Sequence, residues 1–486
     1  MALSMGKLTV RRPSRADVTA INEAIAIEDK AIASLDTEID VLMHNIRRLT
    51  HQKSEHHARI RHYKGLITLA TRMPCELLAT IFEVAAFDWP RCPLIVSHVC
   101  SAWRAAATLP GVWSNIYVNC DGRDPHGRTG FWLSRAQSAP LHITLEVAAD
   151  GSHLERVMDL LSGYTQQWQS LTINTLFSHQ ANYILSRCGQ PTPGLRQINI
   201  RTDLQRRDGN EVEDQLVGLR EAFNDAPRLS IVHLAREISL DILPEGITSL
   251  FLHLPSWSGP STLAAISVIQ LLEGLPLLQQ FTMEFPMLHE RAFIPPPEES
   301  RTANVPYLES LSLTLSPDAN AVLRHIYAPA LRRLLLRSSG EPMGFPHAST
   351  GTSLIHFIEQ SSPPVELLEL HDIDILPADF ARVFSGSPSL TDLRLHESEI
   401  DDGTIHLLDG ASGLCPRLRR LDLRWCGQLT GRALVEFARS RAGRVENMIT
   451  ELAVLNCSFV NENDVMDLAS MTSCRVIMRA GEDICR

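Results

Sequence analysis

The most concentrated chemistry in the chain is two carboxylate clusters, Glu397/Glu399/Asp401/Asp402 and Glu211/Glu213/Asp214. Grouped carboxylates can divide general acid and base work or hold a hard cation. Both clusters fall where the surrounding pattern predicts loops or repeat edges, which makes them solvated rather than catalytic. Five histidines, His44, His51, His56, His57 and His62, crowd a second segment. No two of them are four residues apart, so adjacent helical turns do not supply the imidazole pair a metal requires. The ten cysteines are scattered with no CxxC spacing, as befits small buried hydrophobes in a reducing compartment. A Gly-rich phosphate loop, a GxSxG elbow and an HExxH pair are all missing from the sequence. The expectation is a non-catalytic chain with no cofactor and no metal.

Composition is that of a globular protein: 486 residues, 44% hydrophobic, 21% charged, net charge -11. At about 100–200 residues per domain the length suggests two to four domains. The acidity is uneven. Residues 1–118 hold 14 Lys/Arg against 11 Asp/Glu, and residues 119–486 hold 31 against 45. Such asymmetry separates modules with different partners, and the overall acidity disfavours nucleic acid. The longest uncharged run, Gly246 to Leu272, is broken by Pro255, Gly259 and Pro260, so no membrane span is expected. Met1–Val10 lacks the apolar core of a signal peptide, which predicts a cytoplasmic or nuclear setting.

Three stretches differ in period. From Ser14 to about 68, apolar side chains recur by three and four: Val18, Ile21, Ile25, Ile32, Leu35, Ile39, Leu42, Ile46, Leu49, Ile60 and Tyr63. Glu28, Lys53 and His56 interrupt the seam. This heptad spacing predicts a coiled-coil helix over 14–68, preceded by a disordered stretch 1–13. Its stripe must be covered, either by the rest of the chain folding back or by a coiled-coil partner, including a second copy. The half from His44 to Lys64 is basic, with Tyr63 its only aromatic, and reads as a solvated helix exterior.

The second stretch, 70–118, reads Met73-Pro74-Cys75-Glu76-Leu77-Leu78, then Ile81-Phe82, Val99-Cys100-Ser101-Ala102-Trp103-Arg104, and Pro110-Gly111-Val112-Trp113-Ser114-Asn115-Ile116. Pro74 suits a first helical position. Leu77, Leu78, Ile81 and Phe82 cover more of a helix circumference than one core stripe requires. Val99, Cys100, Trp103 and Ala107 predict a second helix with the same surplus. A segment this short buries few residues fully, so the excess apolar surface suggests a partner subunit, or packing on a neighbouring domain.

These blocks resemble an F-box, whose pattern runs LPxELLxxIF, VCxxWRxxA, PxLWxxI. The resemblance implies a three-helix unit that docks on a Skp-type adaptor and, through it, a cullin–RING ubiquitin ligase. It implies that Pro74, Leu77, Leu78, Ile81 and Phe82 lie at that interface. It also implies that Val99, Cys100 and Trp103 are shared between interface and core, and that Trp113 and Ile116 close the box. Met73 stands where leucine is usual, and the spacer from Phe82 to Val99 is longer than the pattern's. The arrangement is also similar to F-box-like families of mushroom-forming fungi.

The third stretch, 165–486, repeats one unit: an apolar residue, two variable positions, then apolar, any, apolar. Ten instances run from Trp168/Leu171/Ile173 through Leu308/Leu311/Leu313 and Leu418/Leu421/Leu423 to Ile449/Leu452/Val454. An eleventh, Ile247/Leu250/Leu252, follows Leu229 by only 18 residues and fits the spacing poorly. The interval predicts a degenerate leucine-rich-repeat solenoid of parallel strands and helices, with residues 119–164 as its connector and cap. Cys426, Cys457 and Ser398 are expected to turn inward beneath the strands.

The whole is expected to be α+β and multidomain: a coiled-coil helix, a three-helix box and an α/β solenoid. The functional expectation is a substrate receptor of an SCF-type ligase, with a protein target on the concave wall. The alternative is a coiled-coil and repeat scaffold acting without a ligase.

Overall fold

The unbroken three-four spacing becomes one helix, α1 (Arg15–Ile67), in a computed structural model of the protein. The structure describes residues 15–67, 72–149, 151–204, 218–235, 243–253, 263–284, 293–294, 301–315, 317–338, 348–442 and 448–477. The expected disordered stretch 1–13 and the Glu211/Glu213/Asp214 cluster lie outside them. By contact the chain divides into two units: Met1–Leu78 with Cys100–Ala106, and Ala79–Val99 with Ala107–Arg486. The architecture is α+β, with a long N-terminal helix and a large parallel sheet. Among the described residues no helix is long and apolar enough to cross a membrane.

In the first unit α1 runs for 53 residues, about 80 Å at 1.5 Å per residue. From Val18 to Lys64 every residue is exposed except Asn45, which is half-buried. The apolar seam is therefore exposed along the described length of the helix.

The second unit is built on one 14-stranded sheet whose strands lie side by side in chain order. They are β1 (Asn115–Asn119), β2 (Leu141–Val147), β3 (Trp168–Phe177), β4 (Gln197–Leu204), β5 (Ile231–Ala235), β6 (Ser249–His253) and β7 (Gln280–Glu284). They continue as β8 (Ser310–Leu315), β9 (Arg333–Ser338), β10 (Leu367–His371), β11 (Asp392–His396), β12 (Arg420–Arg424), β13 (Glu451–Leu455) and β14 (Ser473–Ile477). Every pairing is parallel.

The register explains the sequence pattern. The first residue of each apolar triplet lies beside its equivalent in the next strand: Leu171 by Ile198, Leu250 by Phe281, Leu393 by Leu421, Leu421 by Leu452. These side chains are at most 1% exposed. Burying such a side chain stabilises by about 1.5–3 kcal/mol, and the stack repeats the gain at each rung.

Four strands, β1, β2, β6 and β14, lie outside the ten firm repeats. Ile247/Leu250/Leu252 belongs to β6, fully in register despite its short interval. Ile116, expected to close the box, is a rung of β1 beside Ile143 of β2, so sheet pairing starts inside 70–118 and continues through the expected cap. At the far end β14 pairs Cys474 with Leu452, a rung without leucine.

The last repeats share a turn. Asp372, Glu397, Trp425 and Asn456 each follow a strand and each adopt positive φ, from 51° to 55°. Left-handed backbone costs a non-glycine residue roughly 1–2 kcal/mol. Here it aims the N–H of Asp372, Glu397 and Trp425 at the last carbonyl of the next strand, at 2.7–2.9 Å. The following residue then points inward: Cys426 Sγ donates to Leu395 O at 3.4 Å, and Cys457 Sγ to Leu423 O at 3.8 Å. Ser398 Oγ, in the equivalent place, donates to His396 O at 3.1 Å.

Candidate functional site

Exposed apolar side chains concentrate in the segment from Leu77 to Val99. Helix α2 (Cys75–Asp88) begins one residue after Pro74, whose carbonyl accepts from Leu78 N at 3.1 Å. Pro74 thus stands just before the helix rather than at its first position. Helix α3 (Cys92–Ser97) follows, started by Pro93, and α4 (Ser101–Ala106) is the third. Val99 and Cys100 precede α4 instead of lying in it, and Cys100 O accepts from Arg104 N at 2.9 Å. A 3-10 turn, Pro110–Trp113, leads into β1.

The helical period splits the expected site residues. Leu78, Phe82 and Ala86, spaced by four, are 3%, 3% and 1% exposed. Leu78 and Phe82, which the resemblance places at a partner interface, are therefore buried in the isolated chain. Leu77 and Ile81 on the opposite face are 56% and 50% exposed, and Val99 is 55%. Pro74 is exposed, while Cys100 and Trp103 are half-buried. Leu77 and Ile81 on one side of α2 and Leu78 and Phe82 on the other leave open which apolar half faces inward until the sheet is in place.

Within the second unit, contacts to the sheet settle that orientation for Ala79–Asp88. Asn115 Nδ2 of β1 donates to Ala86 O at 2.5 Å, and the Phe87 ring meets His142 of β2 edge-on at 4.8 Å. Trp113 is buried, donates from Nε1 to Ala107 O at 2.6 Å, and packs edge-on against Phe131 and Trp132 of α5 (Pro125–Ala136). Cys92, on α3, is buried with Sγ 4.0 Å from Phe82 O. Outward from this anchored base stand Ile81, Val84, Phe87, Trp89, Ile95 and Val99, each 44–63% exposed. Val84, Trp89 and Ile95 are outside the motif positions. Their signal is the apolar Val84-Ala85-Ala86-Phe87 that follows Glu83 and the apolar Leu94-Ile95-Val96 of the long spacer.

Strand positions alternating with the buried rungs form the second candidate surface. A cleft of about 200 Å³ lies over β4 to β7, lined by Asn199, His233, Phe251, His253, Thr282 and Glu284. His233 and Phe251 stack at 4.1 Å with an interplanar angle of 13°, and His253 Nδ1 lies 2.8 Å from Glu284 Oε2. Burial lowers the pKa of His233, which favours its neutral ring. Such a cleft offers a flat ring face beside a carboxylate, suited to a protein side chain.

Farther along, Arg394 bridges Glu369 at 3.2 Å and Asp392 at 3.0 Å, and Arg424 grips Asp422 at 2.7 and 2.9 Å. His396 Nε2 lies 3.5 Å from Asp422 Oδ1. Burial opposes ionisation of Asp422, but hydrogen bonding from His396 and Arg424 outweighs it and holds the carboxyl well below its usual range. These charges bind one another and form a prearranged polar wall.

The carboxylates of Glu397, Asp401 and Asp402 have structural work. Asp401 caps α12 (Asp402–His406), accepting from Thr404 N at 2.9 Å. Asp402 accepts from both Thr430 N and Thr430 Oγ1 of the next repeat at 2.8 Å. Glu397 lies 3.8 Å from His371, and Glu399 donates its backbone N–H to Asp374. Among the described residues no group of histidine, cysteine and carboxylate side chains could hold a metal ion. Cys75, Cys92, Cys100, Cys120, Cys188, Cys415, Cys426 and Cys457 are free thiols.

No family model matches the chain, and no curated protein matches it. Among solved structures the chain is similar to the crystal structure of a Rad7 and Elc1 complex in yeast, at 16% identity over 87% of this chain and 98% of that one, with a TM-score of 0.37. A superposition that loose carries no argument about function.

Proposed function

We propose that the chain is a non-catalytic substrate receptor of an SCF-type ubiquitin ligase. In this reading residues 70–118 are an F-box that binds a Skp-type adaptor and through it a cullin–RING ligase, and the sheet and its helices are a leucine-rich-repeat solenoid that holds a protein target. The observation that carries it is the exposure of Leu77 and Ile81, 56% and 50%, on a helix whose opposite face is core. Both sit at motif positions of the resemblance, and Val84, Trp89, Ile95 and Val99 enlarge the apolar surface around Ile81. Catalysis by such a receptor is proximity: tethering raises the target's effective concentration beside a ubiquitin-charged enzyme.

The repeat arm is supported by the strand register and by the polar outer row of β10 to β12, where Glu369, Arg394 and Asp422 stand ready for a charged partner. Its net acidity suits a target with a basic face. The test is co-purification with a Skp-type adaptor. Leu77→Ala with Ile81→Ala should abolish capture while the protein keeps its circular dichroism spectrum and melting temperature. Undiminished capture by that folded variant would overturn the reading and leave a scaffold acting without a ligase.

A further inference from the structure

We infer that α1 pairs with α1 of a second copy as an antiparallel two-stranded coiled coil, with Glu28 of each copy opposite Lys53 of the other. The seam from Val18 to Tyr63 contains fourteen heptad positions, of which eleven are apolar and all are exposed. Exposures there run from 42% to 62% on the apolar side chains. Isoleucine or valine fills the a positions apart from Lys53, and Leu35, Leu42 and Leu49 fill d positions.

Charge sets the direction. Val18 to Leu42 hold six Asp/Glu and one Lys/Arg, net -5, whereas Met43 to Lys64 hold six Lys/Arg and one Asp/Glu, net +5. A parallel pair would lay like halves together, and an antiparallel pair lays each half on its opposite. The seam then selects the register. Antiparallel layers join an a residue to a d residue, and the alignment that joins Ile39 to Leu42 gives the longest overlap. It also joins Leu35 to Ile46, Ile25 to His56, and Glu28 to Lys53, so the two charged seam residues neutralise each other. Sliding by one heptad in either direction would put Glu28 against Ile60 or Ile46, and Lys53 against Leu35 or Ile21. Burying a lone charge against an alkyl chain is costly, so a single polar layer can dictate register.

The test is sedimentation equilibrium of the full chain, with circular dichroism to confirm that helix content is kept. The wild-type chain should be a dimer at micromolar concentration. Glu28→Lys places lysine against lysine in both polar layers and should weaken dimerisation about tenfold or more. Adding Lys53→Glu to the same chain restores opposite charges and should restore the wild-type dimer. In a parallel pair position 28 meets position 28, so Glu28→Lys would merely exchange one like-charge layer for another. A wild-type monomer, an assembly larger than a dimer, a Glu28→Lys variant that pairs as tightly as wild type, or a double variant that stays weak would each overturn the inference.

Discussion

Helix α1 and the sheet carry equally regular apolar patterns, yet they end in opposite states. Leu35 and Leu42 of α1 are 58% and 54% exposed, whereas Leu393 and Leu421 of the sheet are 0% and 1% exposed. The difference lies in where the next copy of the pattern comes from. Each strand is followed in the same chain by another strand with matching side chains, and parallel pairing in chain order buries both. Helix α1 occurs once, and its stripe finds no second stripe in the described chain. Periodicity identifies the residues that need a partner, and repetition decides whether the chain supplies one.

The comparison breaks most readily in the core of the sheet. Leu421→Ala should lower unfolding stability by about 3 kcal/mol, because neighbouring rungs cannot collapse into the space. Chemical denaturation checks it, and a loss below that of a surface substitution would mean that the rungs do not share a core.

Arg441 comes next. It is 2% exposed at the end of α13 (Gly431–Arg441) and donates to the carbonyls of Leu408, Leu414 and Cys415 at 2.6–3.1 Å. Arg441→Met should cost about 2 kcal/mol, since it leaves those carbonyls unpaired between neighbouring repeats. The same denaturation curves measure it.

Asp422 gives a pH signature. Its folded pKa is depressed, so its contribution is complete above the ordinary aspartate value of 3.8 and is lost as pH falls below it. Asp422→Asn should remove about 1 kcal/mol at neutral pH and flatten the acid limb of the stability profile. Thermal melts from pH 7 to pH 3 check this: the gap between the two profiles should be constant above about pH 5 and begin to narrow as pH falls below 3.8.

The smallest effect belongs to the bare helix. Leu35→Ala should change the stability of the dissociated chain by less than about 0.5 kcal/mol, because the side chain buries nothing there. Melts at high dilution check this, and a loss comparable to Leu421→Ala would place Leu35 against its own chain.

Much of this arrangement is legible in the residues. The apolar triplets mark the strands because period two and burial on one face leave a strong signature, as in Leu421-Asp422-Leu423. Ile116 and Cys474 are not legible as rungs, since one sits within the box pattern and the other lacks leucine. The inward turn of Leu78 and Phe82 is equally hidden, because Leu77 and Ile81 offer an apolar face with the same spacing. Contacts of Ala86 and Phe87 with Asn115 of β1 and His142 of β2 decide it for Phe82, and they join residues 29 and 55 positions apart in the chain. The carboxylates near Asp401 look like chemistry in the sequence because helix capping and metal binding draw on the same side chains.

The central claim is that exposed apolar faces on this chain are docking faces. It is tested most directly by calorimetric titration of the full chain with a purified Skp-type adaptor, comparing wild type with Leu77→Ala/Ile81→Ala. The account predicts tight binding by the wild type, lost in the variant with no loss of folding stability. Adaptor affinity equal in both proteins would contradict it.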